Sequence, residues 1–186
     1  MRILAATLLT ASALTVVGCY RADPMEAGLT DRRMTSSIVQ KASSVVRVDL
    51  AGGGHGSGVN IGGLVITAAH VVKGQTSATL HLDNDTVQAA EVLWVNEKYD
   101  VAALAPIHPK KISYSTLSCA NPVRGDEIVT AGSPGREDDL YIPGTIVGNE
   151  RKSAPWESVV VAAIPATGGI SGGAVFDQFE NVVGIT

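Results

Sequence analysis

The sequence predicts an all-β fold of antiparallel strands arranged as a sandwich or barrel, and three observations support this prediction. From residue 44 onward, short β-branched and apolar runs recur about every ten residues. Turns rich in glycine and proline separate these runs, and the 186 residues include 20 glycines. A helical period of apolar residues is nearly absent over the same region, apart from one turn near residues 68–72. The expected strands are 45–50, 58–61, 64–67, 78–82, 87–95, 101–105, 127–131, 145–148, 158–164, 174–176 and 182–185.

The composition excludes several other classes of protein. The chain is 45% hydrophobic and 17% charged, which is far from the composition of disordered proteins. Its net charge of −4, without clusters of Lys or Arg, offers no basic surface for nucleic acid, so no nucleic-acid partner is expected. No apolar run is long enough to span a bilayer.

The first 18 residues have the pattern of an export signal. Arg2 precedes an apolar run over residues 3–17, and the run ends at Gly18 and Cys19. A small residue followed by cysteine at this point resembles the cleavage box of bacterial lipoproteins, in which that cysteine receives the lipid. We therefore predict a lipoprotein-type signal peptide over residues 1–18 and a membrane anchor on Cys19. An ordinary secretory signal and an uncleaved anchor remain alternatives.

Three further predictions follow, one for Cys119 and two for the segment after the signal. With Cys19 carrying lipid, Cys119 is expected to be an unpaired, buried, small apolar residue. Residues 19–36 are polar and lack a strand pattern, which predicts a tether between the membrane and the folded domain. A short helix over residues 31–43, capped by Asp31, is expected beside it.

The most informative string is GGISGG at residues 168–173. Glycines on both sides allow the backbone to approach a substrate and leave the Ser171 hydroxyl exposed. Such a serine can attack a carbonyl when a base takes its proton, and the N–H groups of Gly169 and Ser171 can hold the resulting oxyanion. A glycine-rich turn between strands would look similar. No histidine follows Ser171, which excludes an α/β-hydrolase, and no lysine follows the glycines, which excludes a phosphate-binding loop.

Two upstream residues have the chemistry that such a serine needs. His70 closes the apolar run VITAAH and is expected at a strand end facing a cleft. Asp100 opens the apolar run DVAAL, where a partly buried carboxylate needs a polar partner such as an imidazole N–H. Taken alone, each residue also fits a purely structural role. His55 lies in a glycine-rich loop and is expected to be exposed.

The order His70, Asp100, Ser171 in these settings resembles the chymotrypsin-like (trypsin-like) serine peptidases. The motifs TAAH, DVAAL and GxSGG carry this resemblance, which covers the chain from about residue 44. The segments GSGV, RGDEIV, AGSPG and GTIV narrow it to the bacterial HtrA/Deg-like branch. The resemblance implies a double antiparallel β-barrel over residues 37–186, with the junction between the barrels near residues 106–122.

The resemblance also implies a serine endopeptidase acting on polypeptides at the bacterial cell envelope. Ser171 would be the nucleophile and His70 the general base and acid, while Asp100, remaining ionised, would orient the imidazole and stabilise the imidazolium. Gly169 and Ser171 would form the oxyanion hole. No metal or organic cofactor is implied.

The sequence departs from the family at three points. Ile170 replaces the aspartate that pairs with a new N-terminus in digestive members, so no zymogen cleavage is expected. Pro165 stands six residues before Ser171, at the base of the family's specificity pocket, and predicts a preference for apolar residues. The sequence stops at Thr186, before the family's closing strand and without a PDZ domain. An incomplete second barrel is therefore expected, and the sequence would be a fragment, a degenerate copy or a compact variant. The alternative function is that of a catalytically inactive or weak trypsin-fold lipoprotein that acts as a binding or surface-exclusion module.

Overall fold

The computed structural model describes residues 44–82, 86–136 and 140–186. Apart from short 3-10 turns, its regular structure consists of β-strands, which confirms the all-β prediction. None of the helices in these residues is long and apolar enough to cross a membrane. The predictions for the signal peptide, the tether, Cys19 and the helix over 31–43 lie outside the described residues. The strands are β1 Val45–Asp49, β2 His55–Ile61, β3 Leu64–Thr67, β4 Ser77–His81, β5 Val87–Asn96, β6 Val101–Pro106, β7 Glu127–Gly132, β8 Leu140–Ser153, β9 Trp156–Ala163, β10 Ala174–Phe176 and β11 Val182–Ile185.

The first six strands form a closed barrel in the order β1-β2-β3-β6-β5-β4, with all neighbours antiparallel. Alternating residues of the strands point inward, so Val46, Val48, Leu80 and Leu104 are buried in one apolar core. Gly58 lies where the barrel leaves no room for a side chain, since a Cβ at this position would stand 2.6 Å from a Val65 methyl group. The barrel provides a rigid frame for the loops at its ends.

The remaining strands form a five-stranded antiparallel sheet in the order β11-β10-β7-β8-β9. Phe176, Ala131, Ala174 and Val182 of this sheet are buried together with Val59 of the barrel, so one core joins the two halves. The halves pack through β7 and β10 against β1 and β2. This arrangement confirms a chymotrypsin-like pair of barrels, in which the second sheet is curled and, over the described residues, open.

Strand β8 is much longer than predicted. The predicted strand begins only at residue 145, because the dipeptide Pro143-Gly144 is typical of a turn, but in the structure both residues pair with β7, opposite Val129 and Ile128. Gly144 is needed for close approach, because a Cβ there would meet the Ile164 side chain and stand 2.8 Å from the Ala163 carbonyl oxygen. A glycine that marks close contact between backbones looks the same in sequence as one that marks a turn.

The segment after β6 crosses from the barrel to the sheet and contains a short 3-10 helix, Pro109–Lys111. Ser115 is buried there and its hydroxyl hydrogen-bonds to that of Ser44 over 2.7 Å. Cys119 follows in the same connection and is disulfide-bonded. The residue is also exposed, so the expectation of an unpaired, buried residue at Cys119 is wrong in both respects.

Candidate active site

Three loops bring the sequence-predicted residues to the boundary between the barrel and the sheet. His70 lies in the turn that follows β3, Asp100 comes directly before β6, and Ser171 lies in the loop between β9 and β10. The first two residues therefore come from the barrel and the third from the sheet.

His70 and Asp100 are joined by two hydrogen bonds. The Asp100 carboxylate accepts one from the His70 ring, with 2.8 Å between Oδ2 and Nδ1, and one from the His70 backbone N–H, with 2.9 Å between Oδ1 and N. Because an ionised carboxylate can only accept, Nδ1 carries the proton and Nε2 is left as the basic nitrogen. The Asp100 side chain is 19% exposed and that of His70 53%. The imidazole is thus held by Asp100 on its Nδ1 side, while the rest of the ring is open to solvent.

Asp100 adopts a left-handed backbone conformation, with φ of 54°. Aspartate tolerates this region better than most residues, but it remains an uncommon conformation that the surroundings must hold. The turn before it is fixed by Asn96, whose Oδ1 accepts hydrogen bonds from the backbone N–H groups of Lys98 and Tyr99. The two bonds to His70 then hold the carboxylate in place.

The loop that carries Ser171 is held from several sides. The Ser171 carbonyl accepts a hydrogen bond from the Ser57 N–H over 2.7 Å. Gly172, with φ of +82°, packs against the Ser57 carbonyl oxygen and the Thr67 hydroxyl, and a Cβ there would stand 2.7 Å from the Ala68 nitrogen. Ala68 begins the turn that contains His70. The loop of Ser171 and the turn of His70 are therefore in direct contact.

Gly169 presents its N–H in a defined direction. It has φ of +100°, which suits glycine. The preceding carbonyl, that of Gly168, accepts a hydrogen bond from the Gly135 N–H over 2.9 Å. Since the N–H and C=O of a trans peptide point in opposite directions, the Gly169 N–H points away from Gly135. Among the described residues, no acceptor takes the N–H of either Gly169 or Ser171.

Pro165 lies in the exposed segment after β9. Its neighbour Ile164 lines a cavity of about 490 Å³ that reaches Asp100, with Tyr99 and Trp156 at its margin. This cavity is mostly apolar, and Asp100 is the only charged residue in its lining. An unpaired carboxylate suited to a Lys or Arg side chain is thus absent from this lining.

The structure corrects the expectation for His55. This residue opens β2, pairs with Asp49 across the strands and is half-buried rather than exposed. Its Nε2 is buried without a hydrogen-bond partner among the described residues and lies against Gly169. The predicted glycine-rich loop is shorter than expected, because β2 begins three residues before the predicted strand 58–61.

Sequence reasoning missed Ser57. Its hydroxyl is buried and joins Gly169 to Ser133, 112 and 76 residues away in sequence. The only signal was its place in the GSGV segment, which carried the family resemblance but indicated no contact. Over the described parts of the chain, no three His, Cys, Asp or Glu side chains are grouped to hold a metal ion.

Comparison with known proteins identifies the family of the chain. Residues 54–185 match the sequence model of the trypsin-like peptidase domain. A probable periplasmic serine endoprotease, DegP-like, from Brucella suis biovar 1 (strain 1330) is 29% identical over 136 residues, covering 71% of this chain and 26% of the relative. A DegP-like relative from Bartonella henselae is 26% identical over 135 residues, covering 71% of this chain and 27% of its own. The chain therefore spans about a quarter of the length of these relatives.

Solved structures show the same fold. The Rv3671c protease in its inactive form superposes with a TM-score of 0.72 at 24% identity, covering 84% of this chain and 83% of its own. The serine endoprotease from Yersinia pestis superposes with a TM-score of 0.69 at 21% identity, covering 81% of this chain and 56% of its own. At this level of identity the likeness concerns the fold.

Proposed function

The chain belongs to the trypsin-like peptidase domain family. From this premise we propose that it is a serine endopeptidase of the HtrA-like branch, a placement that its DegP-like relatives support. The observation that carries the proposal is the paired hydrogen bonding of Asp100 to His70, at 2.8 and 2.9 Å, beside the glycine-rich loop of Ser171. A histidine and an aspartate with purely structural roles would not need this double contact next to a potential nucleophile.

In the proposed reaction, the Ser171 hydroxyl oxygen attacks the carbonyl carbon of the peptide bond while His70 Nε2 takes its proton. Asp100 stays ionised and stabilises the imidazolium through Nδ1. The N–H groups of Gly169 and Ser171 stabilise the negative charge on the carbonyl oxygen. The C–N bond then breaks, and the leaving amine takes the proton from His70.

An acyl-enzyme on Ser171 remains after this step. Water attacks its carbonyl, again with His70 as the base, and the Ser171 oxygen leaves with the proton that His70 holds. The products are a free amine and a carboxylic acid, and the three side chains return to their starting states. No cofactor takes part in any of these steps.

For specificity, we propose that small or medium apolar residues are preferred before the scissile bond. Pro165 and its neighbours Ala163, Ile164 and Ala166 offer no carboxylate to pair with a Lys or Arg side chain. Burying an unpaired charge costs several kcal/mol. A peptide library cleaved mainly after Lys or Arg would contradict this preference.

For location, we propose export to the bacterial envelope, supported by the signal pattern of residues 1–18 and by the periplasmic description of the relatives. A lipid anchor on Cys19 remains a prediction. The chain has two cysteines, and Cys119 is disulfide-bonded; a Cys19 sulfur bound to lipid cannot enter a disulfide. Metabolic palmitate labelling that reaches the wild type and misses Cys19→Ser would support the anchor. Equal labelling of both would refute it.

Labelling with a fluorophosphonate probe tests the proposed activity directly. The probe should modify the wild-type chain and fail to modify Ser171→Ala and His70→Ala, and both variants should lose peptide hydrolysis by roughly 10⁴-fold or more. Effects of the two substitutions should not multiply in the double variant, because the residues act as a unit. A folded wild type that resists the probe while binding peptides would refute the enzyme and favour an inactive binding module.

A further inference from the structure

We propose that Ser57 is a positioning residue that sets the geometry of the oxyanion loop, defined here as residues 168–173. The inference rests on the proposed function, because the loop can stabilise an oxyanion only if the chain is a serine endopeptidase. Ser57 lies in the middle of β2, in the barrel, whereas the oxyanion loop belongs to the sheet. Ser57 thus contacts the oxyanion loop from the opposite half of the molecule, the half that carries His70 and Asp100.

The Ser57 hydroxyl is fully buried and has two partners. It donates to the Gly169 carbonyl oxygen over 2.8 Å and accepts from the Ser133 N–H, also over 2.8 Å. Ser133 follows β7, so one hydroxyl connects β2, the end of β7 and the oxyanion loop. Both partners are buried main-chain groups that would otherwise remain unpaired.

The Ser57 main chain adds further contacts with the same loop. Its N–H donates to the Ser171 carbonyl, and its carbonyl accepts from the Thr67 hydroxyl over 2.6 Å while touching Gly172. Ser57 therefore contacts three residues of the oxyanion loop: Gly169, Ser171 and Gly172. A substitution of the Ser57 side chain removes the hydrogen bonds of the hydroxyl and leaves those of the main chain in place.

The position of the hydroxyl explains how it can orient the Gly169 N–H. Gly135 holds the carbonyl before this N–H, and Ser57 holds the carbonyl after it. These two hydrogen bonds fix the peptide groups on either side of Gly169, and thereby restrict its φ and ψ angles. Glycine has no Cβ to restrict these torsions, so hydrogen bonds must supply the restriction. Loss of the Ser57 hydroxyl leaves the peptide after Gly169 with only the long hydrogen bond, 3.4 Å, from the Ile170 N–H to the Thr167 carbonyl.

A comparison of Ser57→Ala with Ser115→Ala tests the proposal in the full-length chain. Ser115→Ala is the matched control, because it also removes a buried hydroxyl that makes a hydrogen bond. Ser115 lies in the connection between the halves, and within the described residues its hydroxyl makes no bond to the oxyanion loop. For Ser57→Ala we expect kcat for peptide hydrolysis to fall by about 10²-fold, the cost typical of a misplacement of about 1 Å. KM should change little, and Ser115→Ala should keep the wild-type kcat.

Amide hydrogen exchange provides a second readout that does not depend on activity. Exchange at residues 168–173 should accelerate in Ser57→Ala relative to Ser115→Ala, when both are compared at equal global stability. Unchanged exchange of this loop, or equal losses of kcat in both variants, would overturn the positioning role. Should the wild type prove inactive, the proposed endopeptidase fails, while the exchange comparison still decides whether Ser57 positions the loop.

Discussion

Replacement of Gly172 by alanine gives the sharpest test of the geometry around Ser171. Gly172 has φ of +82°, and a Cβ built there meets the Ser57 carbonyl oxygen and the Thr67 hydroxyl, with the Ala68 nitrogen at 2.7 Å. Ordinary contact for such a carbon begins at about 3.4 Å. The three groups belong to β2, to β3 and to the turn of His70, so none is the free end of a flexible side chain.

The expected cost combines two effects. A non-glycine residue in this backbone region is disfavoured by about 1–2 kcal/mol, and overpacking of a rigid site costs about 1–3 kcal/mol. We therefore expect Gly172→Ala to lower the free energy of unfolding by roughly 2–5 kcal/mol, a large share of the 5–15 kcal/mol typical of a domain. Relief of the clash must move the loop by the better part of an ångström, which should lower kcat by about 10²-fold.

Gly168→Ala is the control, because a Cβ there meets no atom within 4 Å and its φ is ordinary for an L-residue. Urea unfolding and hydrolysis of one peptide substrate should be measured for both variants and the wild type. Gly168→Ala should stay within about 0.5 kcal/mol of the wild type, as surface substitutions usually do, and should keep its kcat. Wild-type stability and kcat in Gly172→Ala would refute the close contact between the loop and the turn of His70.

Three other predictions concern the carboxylates and the barrel. Asp100→Asn should lower kcat by about 10⁴-fold through the wrong imidazole tautomer, and a loss below tenfold in single-turnover kinetics would contradict its role. The hydrogen bond from Lys152, with further attraction from Lys98, lowers the pKa of Glu157 below its ordinary 4.5 against a smaller opposing effect of burial. Its ion pairs therefore stabilise the fold above pH 4.5 and lose this effect as the pH falls through the lowered pKa. The difference in urea midpoint between wild type and Glu157→Gln should shrink over that range, and a difference independent of pH would exclude this linkage. Gly58→Ala should destabilise the barrel by about 1–3 kcal/mol through its clash with Val65, and an unchanged melting temperature would argue against that packing.

Much of the fold was predictable because local sequence patterns determine where its strands lie. Each predicted strand corresponds to an observed one, since β-branched runs and glycine turns are short-range signals. The pairing of His70 with Asp100 was also expected, because a carboxylate at the start of an apolar strand needs a partner. Chemistry and local setting sufficed for these two residues.

Other features were not predictable because they depend on distant contacts. The length of β8 depends on how Gly144 packs against Ala163 and Ile164, and the burial of His55 depends on Gly169. The Ser57 hydroxyl meets a carbonyl 112 residues further along the chain. No window of sequence contains both members of such a pair, so the contact becomes visible only when the two halves are placed together.

The division of the proposed triad between the two halves has a consequence for biogenesis. His70 and Asp100 belong to a barrel closed by residues 45–106, so this half can complete its hydrogen-bonded strands while the rest of the chain is still being made. Ser171 comes more than sixty residues after the last barrel strand, and contacts of such sequence separation form late in folding. Proteolytic competence would then arise only on docking of the completed sheet, and a nascent or half-folded chain would be harmless to the proteins around it.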